Sequence, residues 1–205
     1  MKMHVQELKL ADLIQAFDRL ITFWHSDPAD YKSEPGELNP IALELGWRNY
    51  SLWHEEDKAR RTDVDDSMIA QVKRNIDGFN QQRNDLIEKL DEAILAWLTP
   101  KVAFNKDLPI NSETPGSIVD RIFIMSLKVY HMHEDTLRDD IDDAHRSRSQ
   151  QKLATLREQR ADLEQALHRL LDDYLAGNRK MKLYRQFKMY NDPTLNPELY
   201  RQTGA

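Results

Sequence analysis

Two long runs of apolar residues alternate strictly between three- and four-residue spacing, and little but a packed helix can satisfy that pattern. The first is Ile69, Val72, Ile76, Phe79, Arg83, Leu86, Leu90, Ala93, Trp97; the second is Leu153, Leu156, Arg160, Leu163, Leu167, Leu170, Tyr174. Such spacing places every member on one helical stripe, the seam by which helices pack together. Each seam is interrupted once, by an arginine, at Arg83 and at Arg160. The two runs coincide at an offset of 77 residues, and so do Ile41 with Ile118, His54 with His131, Arg61 with Arg138, and Asp63, Asp65 and Asp66 with Asp140, Asp142 and Asp143. Over the 58 ungapped pairs from 41 to 98 there are 12 identities, where unrelated chains give roughly 3 to 4. Leucine matches follow from any heptad; the His, Arg and Asp matches do not. The expectation is a duplicated helical hairpin, 41–98 and 118–175.

Further helices flank these seams. One covers about residues 8–24, another opens at Asn39-Pro40 as cap and first helical residue and runs to about 61, and a third helix of the second half spans about 116–143. Gly177-Asn178 stops the last long helix, expected over about 150–176. The fold class expected is all-α: a pseudo-symmetric bundle of two hairpins plus an N-terminal helix and a basic C-terminal helix, one domain over 1–205 with a tail at 177–205. The chain has 205 residues, no cysteine, 6 glycines, 8 prolines and a net charge of −6. Cysteine chemistry is excluded, no run reaches the roughly 20 apolar residues of a membrane span, and the N-terminus lacks a signal core. A cytoplasmic, soluble protein without membrane contact is expected. Its acidity argues against nucleic acid as a partner, and homo-oligomerisation is left open.

Four constellations carry chemistry. His54-x-x-Asp57 and His131-x-x-Glu134 each place an imidazole and a carboxylate on one helix face, an arrangement that bundle metal sites use. The plain alternative is local ion pairing on charged helices. Arg83 and Arg160 need partners, for which Glu56 is a candidate; with the histidines they could instead hold an anion. Glu55-Glu56 with Glu88-x-x-Asp91 faintly echoes the paired carboxylates of magnesium-dependent helical pyrophosphohydrolases. The segment Arg179 to Tyr190 interleaves five cations with Tyr184, Phe187 and Tyr190, a pattern that could hold phosphates, bases or sugars. The plainer and preferred reading is a short amphipathic helix docking its aromatics on the acidic bundle. No glycine-rich phosphate loop, nucleophile elbow or zinc motif occurs.

Four blocks also resemble a known family: Asn49-x-x-Leu52-Trp53-His54-x-Glu56-Asp57, Asn80 to Leu86, Asn111-Ser112-Glu113-Thr114-Pro115-Gly116-Ser117-Ile118-x-Asp120-Arg121 continuing to His131, and Lys182 to Pro193. Together, over about Asn39 to Tyr200, they resemble the uncharacterised bacterial family known as domain of unknown function 4254. The resemblance implies no catalytic residue; it implies a setting in cell-envelope polysaccharide metabolism. The helix around IFIMSL, apolar nearly all round, must be central, so charges on it are paired or line a cavity. The candidate ligand-binding set is therefore His54, Arg83, Asp120, Arg121, Lys128, His131 and Arg160, for an anionic small molecule such as a sugar phosphate or nucleotide sugar. Two alternatives stand beside it. One is a structural or adaptor protein; the other is a metal site on His54, Asp57, His131 and Glu134, the sole cofactor contemplated.

Overall fold

A computed structural model describes residues 8–10, 12–27, 38–103, 105–187, 189 and 192–201. The expected turn residues Pro28, Pro35 and Gly36, and Lys188, Tyr190 and Asn191 of the basic segment, lie outside them. The helices are α1 (Leu13–Ser26), α2 (Pro40–Lys58), α3 (Asp66–Leu98), α4 (Pro115–Thr136), α5 (Asp143–Leu175) and the single turn α6 (Pro197–Tyr200). Among the described residues there is no strand, and no helix is long and apolar enough to cross a membrane. The all-α bundle expected from the seams is what forms.

α2 pairs with α3, α4 pairs with α5, and α4 touches every other long helix. That central place follows from sequence: Ile118, Val119, Ile122, Phe123 and Leu127 are all buried, so α4 has apolar contacts on most sides. At the 77-residue offset, α3 and α5 share both limits and a length of 33 residues. Their caps match too. Asp65 accepts from the Met68 backbone N–H and Asp142 from that of His145, satisfying the free donors of each first turn. Arg61 grips Asp63 and Arg138 grips Asp140 in the turns that precede them.

Some boundaries differ from the sequence reading. α1 begins at Leu13 because Lys9 and Asp12 take left-handed backbone angles, φ 52° and 55°, which no helix accommodates. α4 stops at Thr136 and α5 starts at Asp143, because the Asp142 cap and the Arg138 fork turn the chain earlier than the apolar pattern indicates. From Lys180 to Phe187 the basic segment is irregular rather than helical. Arg185 reaches Glu88 and Glu92, and Gln186 donates its backbone N–H to Glu88, so the segment docks by charge. Its described aromatics, Tyr184 and Phe187, are exposed, by 41% and 81%.

Gly46 lets α2 approach α4. A Cβ there would collide with the Phe123 ring, which is fully buried and stacks on Phe17. Neither ring has room to withdraw. Gly46→Ala is expected to cost about 1–3 kcal/mol through overpacking, read as a melting temperature lowered by roughly 2–4 °C per kcal/mol.

Asp91 closes the start of α4 from α3. Its carboxylate accepts the Gly116 backbone N–H at 2.7 Å while only 2% exposed. Burial pushes its pKa up to about 6, against the pull of the Thr114 and Gly116 donors. The unfolded value is about 3.9, so the folded chain binds this proton more tightly. Stability from Asp91 is therefore complete below pH 4 and lost as pH rises through 6, by about 3 kcal/mol for a two-unit shift. Chemical denaturation from pH 4 to 7 measures it, and in Asp91→Asn that slope is expected to vanish. With Asp91 capping α4 and Glu88 holding the tail, this carboxylate pair has structural work on both members.

Candidate functional site

Three helices end at one place. His25 lies in the last turn of α1, His54 near the end of α2, and His131 in the second-last turn of α4. Ring centroids are 5.1 Å apart for His25–His54, 5.1 Å for His25–His131 and 5.9 Å for His54–His131, with the planes steeply inclined to one another. One ring nitrogen from each lies within 4.8 Å of those of the other two.

The tautomers follow from the hydrogen bonds. His25 Nδ1 is 2.7 Å from the Ile21 carbonyl oxygen, and His131 Nδ1 is 2.8 Å from a Glu134 carboxylate oxygen. Both oxygens only accept, so both Nδ1 atoms carry the proton and both Nε2 atoms present lone pairs. The Nε2 atoms of His25, His54 and His131 are all buried without a hydrogen-bond partner. Burial, then the neighbouring imidazoles of His25 and His131, hold His54 below the ordinary imidazole pKa. Burial lowers His131 as well, opposed by its bond to Glu134. Neutral rings are the form that ligates metal.

Aromatic rings fix the three imidazoles. Trp53 stacks on His131 at 4.8 Å and 9°, Tyr130 on His25 at 4.2 Å and 19°, and Tyr50 meets His54 edge-on at 4.4 Å. Tyr50 is itself anchored by donating to the Trp24 carbonyl at 3.0 Å.

The remaining sequence candidates separate. Asp120, 4% exposed, receives Arg83 in a two-point fork, Nε at 2.9 Å and Nη2 at 3.0 Å, plus Asn49 Nδ2 at 2.8 Å. Arg160 forks onto Asp18 of α1 and touches Ser126. Each seam arginine thus meets a carboxylate, but not Glu56, which pairs with Arg60 one turn away. Arg121 lies on the surface, bonded to both oxygens of Glu113 at 2.7 Å, and Lys128 is exposed. Of the expected metal set, His54 and His131 converge; Glu134 orients His131 from behind, and Asp57 is exposed at the edge. A second grouping, Asp135 with His145 at 2.9 Å and Ser149 at 2.6 Å, resembles a hydrolytic triad. Yet the carboxylate, not the imidazole, sits in the middle, so no base reaches the serine. It staples the α4–α5 turn.

The blocks that surround His54, Arg83, Asp120 and His131 carry the relationship to other proteins. The family model described as "Protein of unknown function (DUF4254)" matches residues 40–183. The chain belongs to this family. No curated protein and no solved structure matches it. In this DUF4254 member the third imidazole, His25, stands outside the matched segment. Sequence reasoning missed it because it has no counterpart at the 77-residue offset. Its signal was modest: a histidine four residues beyond Ile21 on the apolar stripe of α1, aimed inward like the core residues before it.

Proposed function

We propose that this DUF4254 protein is a metalloprotein binding one divalent transition ion, with Zn²⁺ the reference case, through Nε2 of His25, His54 and His131. One observation carries the reading: the three ε-nitrogens are buried without partners, on histidines that each bring one ring nitrogen within 4.8 Å of the other two. A water molecule has two hydrogens and leaves one such nitrogen unsatisfied; a cation accepts all three lone pairs. Ring centroids about 3.2 Å from an ion, the sum of a 2.0–2.1 Å bond and the ring radius, stand about 5.2 Å apart at tetrahedral angles. The centroid separations of 5.1, 5.1 and 5.9 Å fit that figure. The nitrogens themselves must move inward by less than about 1 Å to reach bonding distance. Carbonyl and carboxylate acceptors behind His25 and His131 are the outer shell that orients metal-ligating imidazoles.

Three protein ligands leave a coordination position for water or substrate, the pattern of catalytic rather than structural zinc. The chemistry available is Lewis-acid activation of water or of a bound oxygen. Elemental analysis of protein stripped with chelator and reloaded tests the site. One equivalent of Zn²⁺ per chain is expected, and Co²⁺ should give the intense visible bands of a four- or five-coordinate ion. A stripped chain that takes up no stoichiometric metal would overturn the proposal.

A further inference from the structure

Beside the three histidines, a cleft of about 410 Å³ opens between α2, α3 and α4, a volume within the range of small-molecule sites. Trp53, Asp57, Asn80 and Arg83 line it, while the histidines themselves do not. Trp53 is the ring stacked on His131, and the charge of Asp57 acts on both His54 and His131. Trp53 thus borders the cleft and the histidines alike.

Arg83 is the fixed donor of this cleft. A guanidinium has five N–H groups. Asp120 takes one from Nε and one from Nη2, and Asn80 Oδ1 takes one from Nη1 at 3.3 Å. Two remain, on a side chain 26% exposed and held from three points. Such a guanidinium is already ordered before any ligand arrives, so little side-chain entropy is lost on binding. The local charges also bear on an anion. Arg83 cancels Asp120 and Arg60 cancels Glu56, leaving Asp57 and, bonded to His131, Glu134; a dication on the histidines balances these two, so the site no longer repels an oxyanion.

We infer that this cleft is the substrate cleft of the metal centre and takes a small molecule bearing an oxyanion, phosphate or carboxylate. The two spare N–H groups of Arg83 hold the oxyanion, and the rest of the molecule extends past Trp53 and Asp57 to the open position on the metal. The inference rests on the metal reading above.

Cobalt-loaded protein, titrated separately with inorganic phosphate and with acetate, tests it by visible spectrum and thermal melt. Binding of one or both anions is expected to raise the melting temperature and to be at least tenfold tighter with cobalt than without. Arg83→Lys keeps the charge but loses the planar fork; it should retain the cobalt spectrum and lose at least tenfold in anion affinity. Since Arg83 also secures Asp120, Asn80→Leu supplies a second variant. It keeps the Arg83–Asp120 fork, releases the far edge of the guanidinium, and should weaken the anion severalfold at an unchanged melting temperature. A normal cobalt spectrum with no anion binding overturns the cleft assignment and leaves the metal site standing. Anion binding of equal strength with and without cobalt, or undiminished in Arg83→Lys, overturns it as well. Failure to bind cobalt at all removes the metal reading and this inference together.

Discussion

Replacing His54 with alanine is expected to weaken Zn²⁺ binding by more than about 100-fold while leaving the bundle folded. All three histidines are partly buried, and His54 is the ligand to choose because α2 stays anchored by Ala42, Leu45, Tyr50 and Leu52, all buried. His25 and His131 would remain, and two imidazoles seldom retain an ion against a chelator. Competition with a chromophoric chelator measures the loss, and circular dichroism checks the fold. Glu134→Gln is the milder companion. Its carboxylate holds the Nδ1 proton of His131, and losing that charge is expected to weaken metal binding by about 10- to 100-fold without altering stoichiometry. A structural role for Glu134 would instead change the melting temperature and spare the affinity.

Arg83→Met is expected to be the most damaging single change in the hydrophobic seams. It leaves the Asp120 carboxylate, 5% exposed, with Asn49 as its sole remaining side-chain partner. Removing one member of a buried ion pair costs about 3–5 kcal/mol, and at roughly 2–4 °C per kcal/mol the melting temperature falls by on the order of 10 °C. Replacing both members, Arg83→Met with Asp120→Leu, should restore much of it, since apolar pairs often match buried ionic ones. Arg160 gives the contrast. Its partner Asp18 is 48% exposed, so Arg160→Met strands a hydrated carboxylate and costs little. Asp18→Ala, by leaving Arg160 buried and unpaired, should be the more harmful change at that pair. Denaturant melts of the three single variants and the double variant measure the order.

The helices were legible because apolar spacing reports a face directly, and Asn39-Pro40 announces its own start. The Asp142 cap was not, because the charged run from Arg138 to Asp143 does not mark a break between two helices. The two imidazoles matched at the 77-residue offset were legible for a similar reason, since a local pattern cannot explain a repeated histidine. What escaped was set by contacts between distant segments. Nothing local to Arg83 names Asp120, 37 residues away, while Glu56 is claimed by Arg60 through simple helical proximity. The tail carries alternating cations and aromatics that suit a helix, yet Glu88 and Glu92, distant in sequence, hold it in an irregular path. His25 belongs to α1, whose position over α4 and α5 is a tertiary fact.

That position separates membership from chemistry. The segment by which the family is recognised, residues 40–183, contains both hairpins, both seam arginines and two of the three imidazoles. The third arrives on a helix that also inserts Leu13, Phe17, Ile21 and Trp24, each fully buried, into the same core. A relative matched over the same segment can thus keep the whole scaffold and still lack a complete ligand set, according to what its leading helix carries at one position. Under the proposed metal reading, the residue that completes the site is one that comparison over the shared segment never inspects.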